Sequence, residues 1–138
     1  MNKRTHFNWH GEDLLVEFVE TTAVKTGVEC DVYQFVGYIT KDLGIIRATS
    51  GSSTPLQRVV RGIRTIEGFL EGSGTLTTTD ADGHTQQYTY PDEHTPAEVA
   101  VMIGQTMQWQ ATSDLTCYEI CEPPYTDGRY EDLSEPHL

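Results

Sequence analysis

The sequence predicts an all-β fold, either a sandwich or a barrel of short antiparallel strands. Apolar residues recur in short runs that glycine, aspartate, threonine or proline interrupt, and no sustained 3.6-residue stripe marks an amphipathic helix. β-Branched and aromatic residues supply much of these runs, as pleated and half-buried strands require. Turn signals recur roughly every 8–12 residues, which is typical of sheets that close on themselves and so protect their edges.

The runs define the predicted strands in chain order. They cover residues 14–19, 32–39, 44–48, 58–63, 65–70, 75–79, 85–90, 99–103, 107–111 and 115–121. Gly72-Ser73-Gly74 separates two of these strands, and Asp80-Ala81-Asp82-Gly83 forms a hairpin loop whose glycine tolerates a positive φ. The polar residues 91–97 form a loop. Helices at residues 56–62 and 96–101 compete weakly because both segments are short and poorly capped.

The length limits the chain to one domain. At 138 residues and 15.5 kDa it has room for one core. We divide residues 1–138 into N-terminal strands (1–43), the barrel motifs (44–121) and a C-terminal tail (122–138). The tail contains too few aliphatic residues for a core element, so we expect it to wrap the surface with Tyr125 and Tyr130 as anchors.

The charge excludes two classes of partner. Nine basic against 21 acidic residues give a formal net charge of −12. Nucleic acids and anionic membranes both require clustered cations, so neither is an expected partner. No apolar run approaches the ~20 residues of a membrane helix, and the start of the chain lacks the apolar stretch of a signal peptide. We therefore expect a soluble, cytoplasmic protein.

The three cysteines, Cys30, Cys117 and Cys121, are odd in number and form no CxxC motif, so they indicate neither a disulfide framework nor a zinc ribbon. Cys117 and Cys121 share one face of a predicted strand about 13 Å apart, too far for a disulfide. We expect reduced thiols that pack in the core.

Two stretches resemble motifs of the cupin superfamily of small jelly-roll barrels. Residues 65–76 (TIEGFLEGSGTL) are similar to the end of the first cupin motif, where a strand runs into a glycine-rich turn. Residues 103–114 (IGQTMQWQATSD), the strand after them and the exit Glu122-Pro-Pro-Tyr125 are similar to the second motif and its continuation. The resemblance covers roughly residues 44–133 and implies a single-domain, cupin-type jelly-roll barrel.

The chain departs from the family at the metal-binding positions. The first motif of the family supplies a histidine pair and a glutamate, and the second supplies a further histidine. Counted back from Gly72, the matching positions hold Val59 and Arg61 (or Arg58 and Val60), then Thr65, and in the second motif Gln108 (or Met107). None of these side chains replaces an imidazole or a carboxylate at a transition metal. The chain therefore resembles the cupins that lack these ligands, and we expect no metal and no cofactor.

Arginines are concentrated in this acidic chain at positions 47, 58, 61 and 64. If residues 58–64 form one regular strand, Arg58 and Arg64 share one face and Arg61 the other, so at least one guanidinium points into the barrel. A buried arginine needs an anion, which would be Glu67, Glu119 or a group on a bound ligand. Alternatively, the arginines pair with acids on the outer sheet or at a dimer contact.

The candidate ligand-binding residues are thus Arg58, Arg61, Thr65 and Gln108. Gln108 occupies the family's ligand position in the second motif, so the resemblance places it in the cavity and Trp109 on the opposite face. Its role is either ligand binding or packing.

Glu67 and Glu119 are the acids inside predicted strands of this region. A partly buried carboxyl group with a raised pKa is suited to general base catalysis, which makes them the candidate catalytic residues. The alternative is that both are half-exposed and structural.

His6 and His10 have the spacing of a helical metal pair, but Asn8, Trp9 and Gly11 disfavour a helix. A solvent-exposed arm is the alternative to metal binding there.

Three functions remain open. The leading hypothesis is a cupin-like protein that binds a small anionic or polar metabolite in its barrel without a metal. The second is a metal-independent isomerase or epimerase acting on a sugar or carboxylate, and the third is a non-catalytic interaction module with a packed interior. An open cavity that contains arginine would favour the metabolite-binding protein. A buried His or Tyr beside Glu67 or Glu119 would favour the isomerase or epimerase. Jelly rolls commonly pair through terminal strands or sheet faces, so we expect a homodimer.

Overall fold

A computed structural model describes residues 3–60, 62–122 and 130–133. These residues form β-strands without any helix, which confirms the all-β prediction. The strands are β1 (Arg4–Trp9), β2 (Glu12–Lys25), β3 (Val28–Phe35), β4 (Asp42–Ala48), β5 (Gln57–Val59), β6 (Arg64–Glu71), β7 (Gly74–Thr79), β8 (Thr85–Tyr90), β9 (Glu98–Met102), β10 (Thr106–Ala111), β11 (Leu115–Glu122) and β12 (Tyr130–Asp132). In the part of the chain that the structure describes, no helix is long and apolar enough to cross a membrane.

The strands form two antiparallel sheets that face one another as a jelly roll. The larger sheet has the order β1-β2-β3-β4-β11-β6-β9, and the smaller has the order β12-β5-β10-β7-β8. Apolar side chains from both sheets pack between them and form the main core, since alternate residues of each strand point to the same side. Its buried members include Val28, Ile46, Val59, Leu76, Val101, Met107, Trp109 and Leu115.

The larger sheet also curls around a second core on its outer face. Phe7 of β1 meets Tyr118 of β11 edge-to-face, with ring centroids 5.2 Å apart. Trp9 Nε1 and Tyr118 Oη both donate hydrogen bonds to Glu98 of β9, and His10 Nε2 lies 2.8 Å from the same carboxylate. The segment that contains His6 and His10 is therefore a strand and its turn, and neither a helix nor a free arm.

Three predicted strands differ clearly from the observed ones. The strand expected at 14–19 is part of the longer β2, Glu12–Lys25. The strand expected at 32–39 ends at Phe35, and Gly37 follows with a φ of +90°. The strand expected at 58–63 is only the short β5, and Gly62, also at a φ of +90°, precedes β6. A left-handed glycine redirects the chain, so β5 and β6 belong to different sheets. Arg58 and Arg64 consequently do not share one strand face, and Arg61 lies outside the described residues.

Both predicted glycine turns are present. Gly72 has a φ of +90°, and a Cβ there would lie 1.9 Å from the carbonyl oxygen of Asp114, so only glycine fits. In the β7–β8 hairpin, Asp80 Oδ1 accepts hydrogen bonds from the backbone N–H groups of Asp82 and His84. Of the two residues expected to anchor the tail, Tyr125 lies outside the described residues and Tyr130 belongs to β12, which pairs with β5.

Candidate functional site

The inward face of the larger sheet carries a row of residues at matching positions on neighbouring strands. From β3 to β9 the row reads Val32, Gly44, Glu119, Glu67 and Val99. Residues directly opposite one another in a ladder point to the same side of the sheet. The two glutamates are therefore side by side, and glycine is the next residue in the row.

A cavity of about 890 Å³ lies over this row. Apolar side chains such as Val28, Ile46 and Met107 form much of its wall. The second half of β2 also lines the cavity, through Val19, Glu20, Thr22, Ala23 and Val24. The polar lining includes both glutamates of the row. Apart from the thiols and Trp109, the remaining polar and charged lining residues are Glu20, Thr22, Gln34, Tyr38, Lys41, Asp42, Thr54 and Gln57.

Glu67 is fully buried between the sheets, at 1% exposure. Its Oε1 accepts a 2.8 Å hydrogen bond from the indole N–H of Trp109, but Oε2 meets no donor within the described residues. Burial and then the neighbouring charge of Glu119 raise the pKa of Glu67 well above 4.5, although hydrogen bonds from Trp109 and Thr65 oppose this shift. Two neighbouring carboxyl groups resist ionising together in a buried site, so we assign one proton to the pair and not to either residue alone.

Glu119 occupies the more accessible position of the pair. Its Oε1 lies 3.6 Å from the thiol of Cys121. On its other side the next residue of the row is Gly44, where a Cβ would lie 2.9 Å from Sγ of Cys30. The Cys30 thiol therefore leans over the glycine towards the glutamates.

The three cysteines lie near the glutamates, and none of them forms a disulfide within the described residues. Burial, followed by the charges of Glu119, Asp31, Glu67 and Asp42, raises the pKa of Cys30 to about 12. Burial and the two glutamates also raise the pKa of Cys117 well above its usual value. The thiols of Cys30 and Cys117 therefore remain protonated at neutral pH, which is consistent with the packing role expected from the sequence.

Comparison with known proteins identifies the fold. No family model and no curated protein sequence matches the chain. A variant of oxalate decarboxylase from Bacillus subtilis superposes with a TM-score of 0.66 at 15% identity, over 83% of this chain and 30% of that one. Salicylate 1,2-dioxygenase from Pseudoaminobacter salicylatoxidans, in an adduct with gentisate, superposes with a TM-score of 0.56 at 16% identity, over 72% of this chain and 26% of that one. CapF with the inhibitor 3-isopropenyl-tropolone superposes with a TM-score of 0.63 at 9% identity, over 86% of this chain and 34% of that one. The chain has a cupin-type fold.

These likenesses concern the fold alone, because every identity is low. The chain spans about a third or less of the length of the three proteins. The resemblance read from the sequence motifs is thus confirmed for the cupin-type architecture. The chemistry of this cupin-like protein has to be argued from its own residues.

The cupin metal implied by the resemblance does not fit the residues at the matching positions. Val59 is fully buried, and the hydroxyl of the buried Thr65 points at the thioether of Met107, with Oγ1 and Sδ 3.9 Å apart. These groups pack together and present no imidazole or carboxylate to an ion. In the described part of the chain, the residues grouped closely enough to hold an ion are Asp80, Asp82 and His84, on a solvent-exposed hairpin turn.

The register of β10 is the opposite of the one expected. Gln108 Nε2 donates a 2.9 Å hydrogen bond to the carbonyl oxygen of Thr54, and the side chain is not part of the cavity lining. Trp109, expected on the far face, is 2% exposed and lines the cavity. Consecutive residues of a strand point to opposite faces of the sheet, so a shift of one position exchanges which residues are buried. In β10 the large apolar indole of Trp109 lies on the buried face. Thr65 lies behind the lining, beside Glu67.

The described arginines lie outside the cavity of this cupin-type barrel. Arg47 pairs with Asp31 and Glu29, and Arg64 Nε lies 2.6 Å from Glu122 Oε1. Arg58 is exposed on β5. These positions match the alternative in which arginines pair with acids on the outer surface of the sheet.

The structure adds residues that sequence reasoning missed. Gln57, Asp42 and Cys30 line the cavity, and Gly44 shapes its floor. Strand alternation in β11 places Cys117, Glu119 and Cys121 on one face and so offered a signal for the acid–thiol cluster. No local signal placed Cys30 or Gln57 there, because both reach the site through pairing between distant strands.

Proposed function

We propose that this cupin-like protein binds a small polar ligand in its barrel without a metal, through the carboxyl groups of Glu67 and Glu119. The observation that carries the proposal is a buried carboxyl oxygen that has no hydrogen-bond partner among the described residues and lies beside a cavity. Glu67 Oε2 is buried and meets no donor among the described residues, while the adjoining cavity measures about 890 Å³. A ligand that donates hydrogen bonds would satisfy the carboxyl pair.

The charge of the lining favours a polar ligand over an anionic one. Glu20, Asp42, Glu67 and Glu119 contribute acidic groups to the described lining, and Lys41 contributes a basic one. Two like charges 4 Å apart repel by about 4 kcal/mol at an effective dielectric constant near 20. A carboxylate or phosphate close to the glutamate pair would meet this repulsion without a described arginine to offset it.

A second candidate function is general acid–base catalysis by the same pair. The raised pKa of Glu67, caused by burial and then by Glu119, leaves a protonated acid beside a second carboxyl group. Such a pair suits an isomerase or epimerase that moves a proton on a sugar or carboxylate. The aromatic ring that contacts Glu67 is, however, the indole of Trp109, which does not titrate as a histidine or tyrosine ring would. The cavity favours these two candidate functions over the interaction module, for which a packed interior is expected.

The proposal is tested by a ligand screen that monitors tryptophan fluorescence, since Trp109 lines the cavity. Small polyols, sugars, amines and amides are titrated into the protein, and one class is expected to change the emission saturably. Glu119→Gln is expected to weaken that binding by about tenfold, or 1.4 kcal/mol. Glu93→Gln, at a highly exposed loop position, is the matched control and should bind like the unmodified protein. Saturable binding that is unaffected by both Glu119→Gln and Glu67→Gln would place the site elsewhere and refute the proposal.

A further inference from the structure

We propose that the ligand of this cavity carries a protonated primary amine, which binds between the carboxyl groups of Glu67 and Glu119. This inference rests on the proposed function and narrows it to one class of ligand. The body of the ligand is aliphatic and lies against the apolar wall. Charge, hydrogen-bonding capacity and the apolar wall of the cavity each support this assignment.

The charges of the lining select a cation. The acidic groups at Glu20, Asp42, Glu67 and Glu119 surround a site whose described basic group is Lys41. The Lys41 ammonium lies over the rings of Trp9 and Tyr38, at 5.2 and 5.5 Å from their centroids. Because the Lys41 ammonium interacts with these aromatic rings, we infer that the cation which neutralises the glutamate pair comes from the ligand.

The hydrogen-bonding capacity of the floor selects a group with several donors and no acceptor. Glu67 Oε2 has no donor in the described residues, and the donor near Glu119 Oε1 is the weak thiol of Cys121 at 3.6 Å. An ammonium group has three donors and no lone pair, so it can satisfy both carboxylates at once. An alcohol has one donor, and its lone pairs would face the same carboxylate oxygens.

The lining beside Glu119 is formed by Gly44, the next residue in the row, and by the thiol of Cys30. A Cβ at Gly44 would lie 2.9 Å from Sγ of Cys30, so the thiol fills the space over the glycine. The wall above it consists of Val28, Val32 and Ile46. A small cationic head at the glutamates with an alkyl chain along this wall uses both surfaces.

Binding should release a proton. In the free protein one proton lies on the Glu67–Glu119 pair, and an ammonium bound between the two carboxylates replaces it, so the proton passes to the buffer. The other titratable groups facing the pair are Cys30 from β3, Asp42 from β4, and Cys117 and Cys121 from β11, while β10 contributes the non-titrating Met107 and Trp109. Glu20 and Lys41 also line the cavity. The burial that raises the pKa of Cys30 to about 12 keeps that thiol from competing for the exchange at neutral pH.

The test is isothermal titration calorimetry of the full chain with three probes of equal length: n-hexylamine, 1-hexanol and hexanoate. We expect n-hexylamine to bind at least about tenfold more tightly than 1-hexanol, and hexanoate not to bind. The measured enthalpy should depend on the ionisation enthalpy of the buffer with a slope of about one released proton per amine bound. The affinity should therefore increase from pH 6 to pH 8.

Variants locate the effect. Glu119→Gln and Glu67→Gln should each weaken n-hexylamine binding by about tenfold and change 1-hexanol binding by less than about threefold. Glu93→Gln should change neither, and circular dichroism checks that each variant is folded. Use of both glutamine variants keeps the test valid if one of them does not fold.

The possible failures are distinguishable. If 1-hexanol or the polyols bind as tightly as n-hexylamine, the amine inference is wrong and the proposed polar-ligand function stands. Amine binding that releases no proton, or that neither glutamine variant weakens, also overturns the inference. If no compound of any class binds, both proposals fail.

Discussion

Glu67 and Glu119 lie directly opposite one another on β6 and β11, and both side chains point to the cavity side of the larger sheet. Like charges at opposed positions in a ladder are unfavourable, and burial increases the penalty. Burial and the charge of Glu119 accordingly raise the pKa of Glu67 well above 4.5. The pair therefore costs stability when both groups ionise, and a ligand or proton that neutralises it restores that stability.

Glu67→Gln should change how stability depends on pH. Because the pKa of Glu67 is raised in the folded state, its proton stabilises the fold fully below pH 4.5, and this contribution is lost as the pH rises. The unmodified protein should lose up to about 1.4 kcal/mol of unfolding free energy per pH unit through this group. The amide cannot titrate, and it can still accept from Trp109 while donating to Glu119. Urea unfolding from pH 5 to pH 8 should show the variant becoming progressively more stable than the unmodified protein.

A constant difference in unfolding free energy across that range would contradict the protonated state of Glu67. The control is Glu93→Gln, which removes a carboxyl group of the same kind from an exposed loop.

Trp109→Phe should destabilise the fold by removing the donor to Glu67. The phenyl ring keeps much of the packing, but Glu67 Oε1 loses its 2.8 Å hydrogen bond inside the barrel. An unsatisfied buried acceptor costs about 1–3 kcal/mol. A double-mutant cycle with Glu67→Leu, measured by urea unfolding, should give a coupling energy of about 1 kcal/mol or more. Additive losses would mean that the indole contributes only by packing.

Cys30 should react slowly with iodoacetamide. Its pKa is raised from 9.0 to about 12, by burial and then by Glu119, so the thiolate fraction at pH 8 is about a thousandfold lower than for an ordinary thiol. Glu119→Gln removes the largest charge effect, and we expect it to lower this pKa and speed the labelling of Cys30. Mass spectrometry of labelled peptides measures the rate at each cysteine. Equal Cys30 rates in the variant and the unmodified protein would show that Glu119 exerts no field at this thiol.

Glu98→Gln should loosen the N-terminal hairpin. Partial burial opposes ionisation of Glu98, but hydrogen bonds from Tyr118, His10 and Trp9 lower its pKa overall. Its contribution to stability is therefore present above pH 4.5 and is lost as the pH falls. We expect the variant to lose about 1 kcal/mol at pH 7 and to show faster amide hydrogen exchange in β1.

The effect of Glu98→Gln should shrink as the pH falls below 4.5, because Glu98 is then protonated in the unmodified protein. Unchanged exchange in β1 at pH 7 would indicate that the aromatic contact of Phe7 with Tyr118 is sufficient to hold the hairpin.

The sequence by itself determined the all-β architecture and several local features. Alternating apolar runs predicted strands such as β7 and β8, and Gly72 and Gly83 marked the turns because only glycine adopts their backbone conformations without strain. The absence of imidazole and carboxylate at the positions matching the cupin ligands is likewise a property of the sequence. The sequence also identified Glu67 and Glu119 as acidic residues within predicted strands.

The tertiary structure alone decided which strand face is buried and which strands meet. Alternation sorts residues of β10 into two sets, but pairing and packing place Trp109 inside and bind Gln108 to Thr54. Arg58 and Arg64 belong to different sheets, because β5 ends at Val59 and the chain changes direction before β6 begins. Gly44 lies beside Glu119 because β4 pairs with β11, a strand far away in the chain, and no short stretch of sequence carries a signal for this pairing. Local chemistry fixes the period of a strand, whereas its orientation depends on long-range burial.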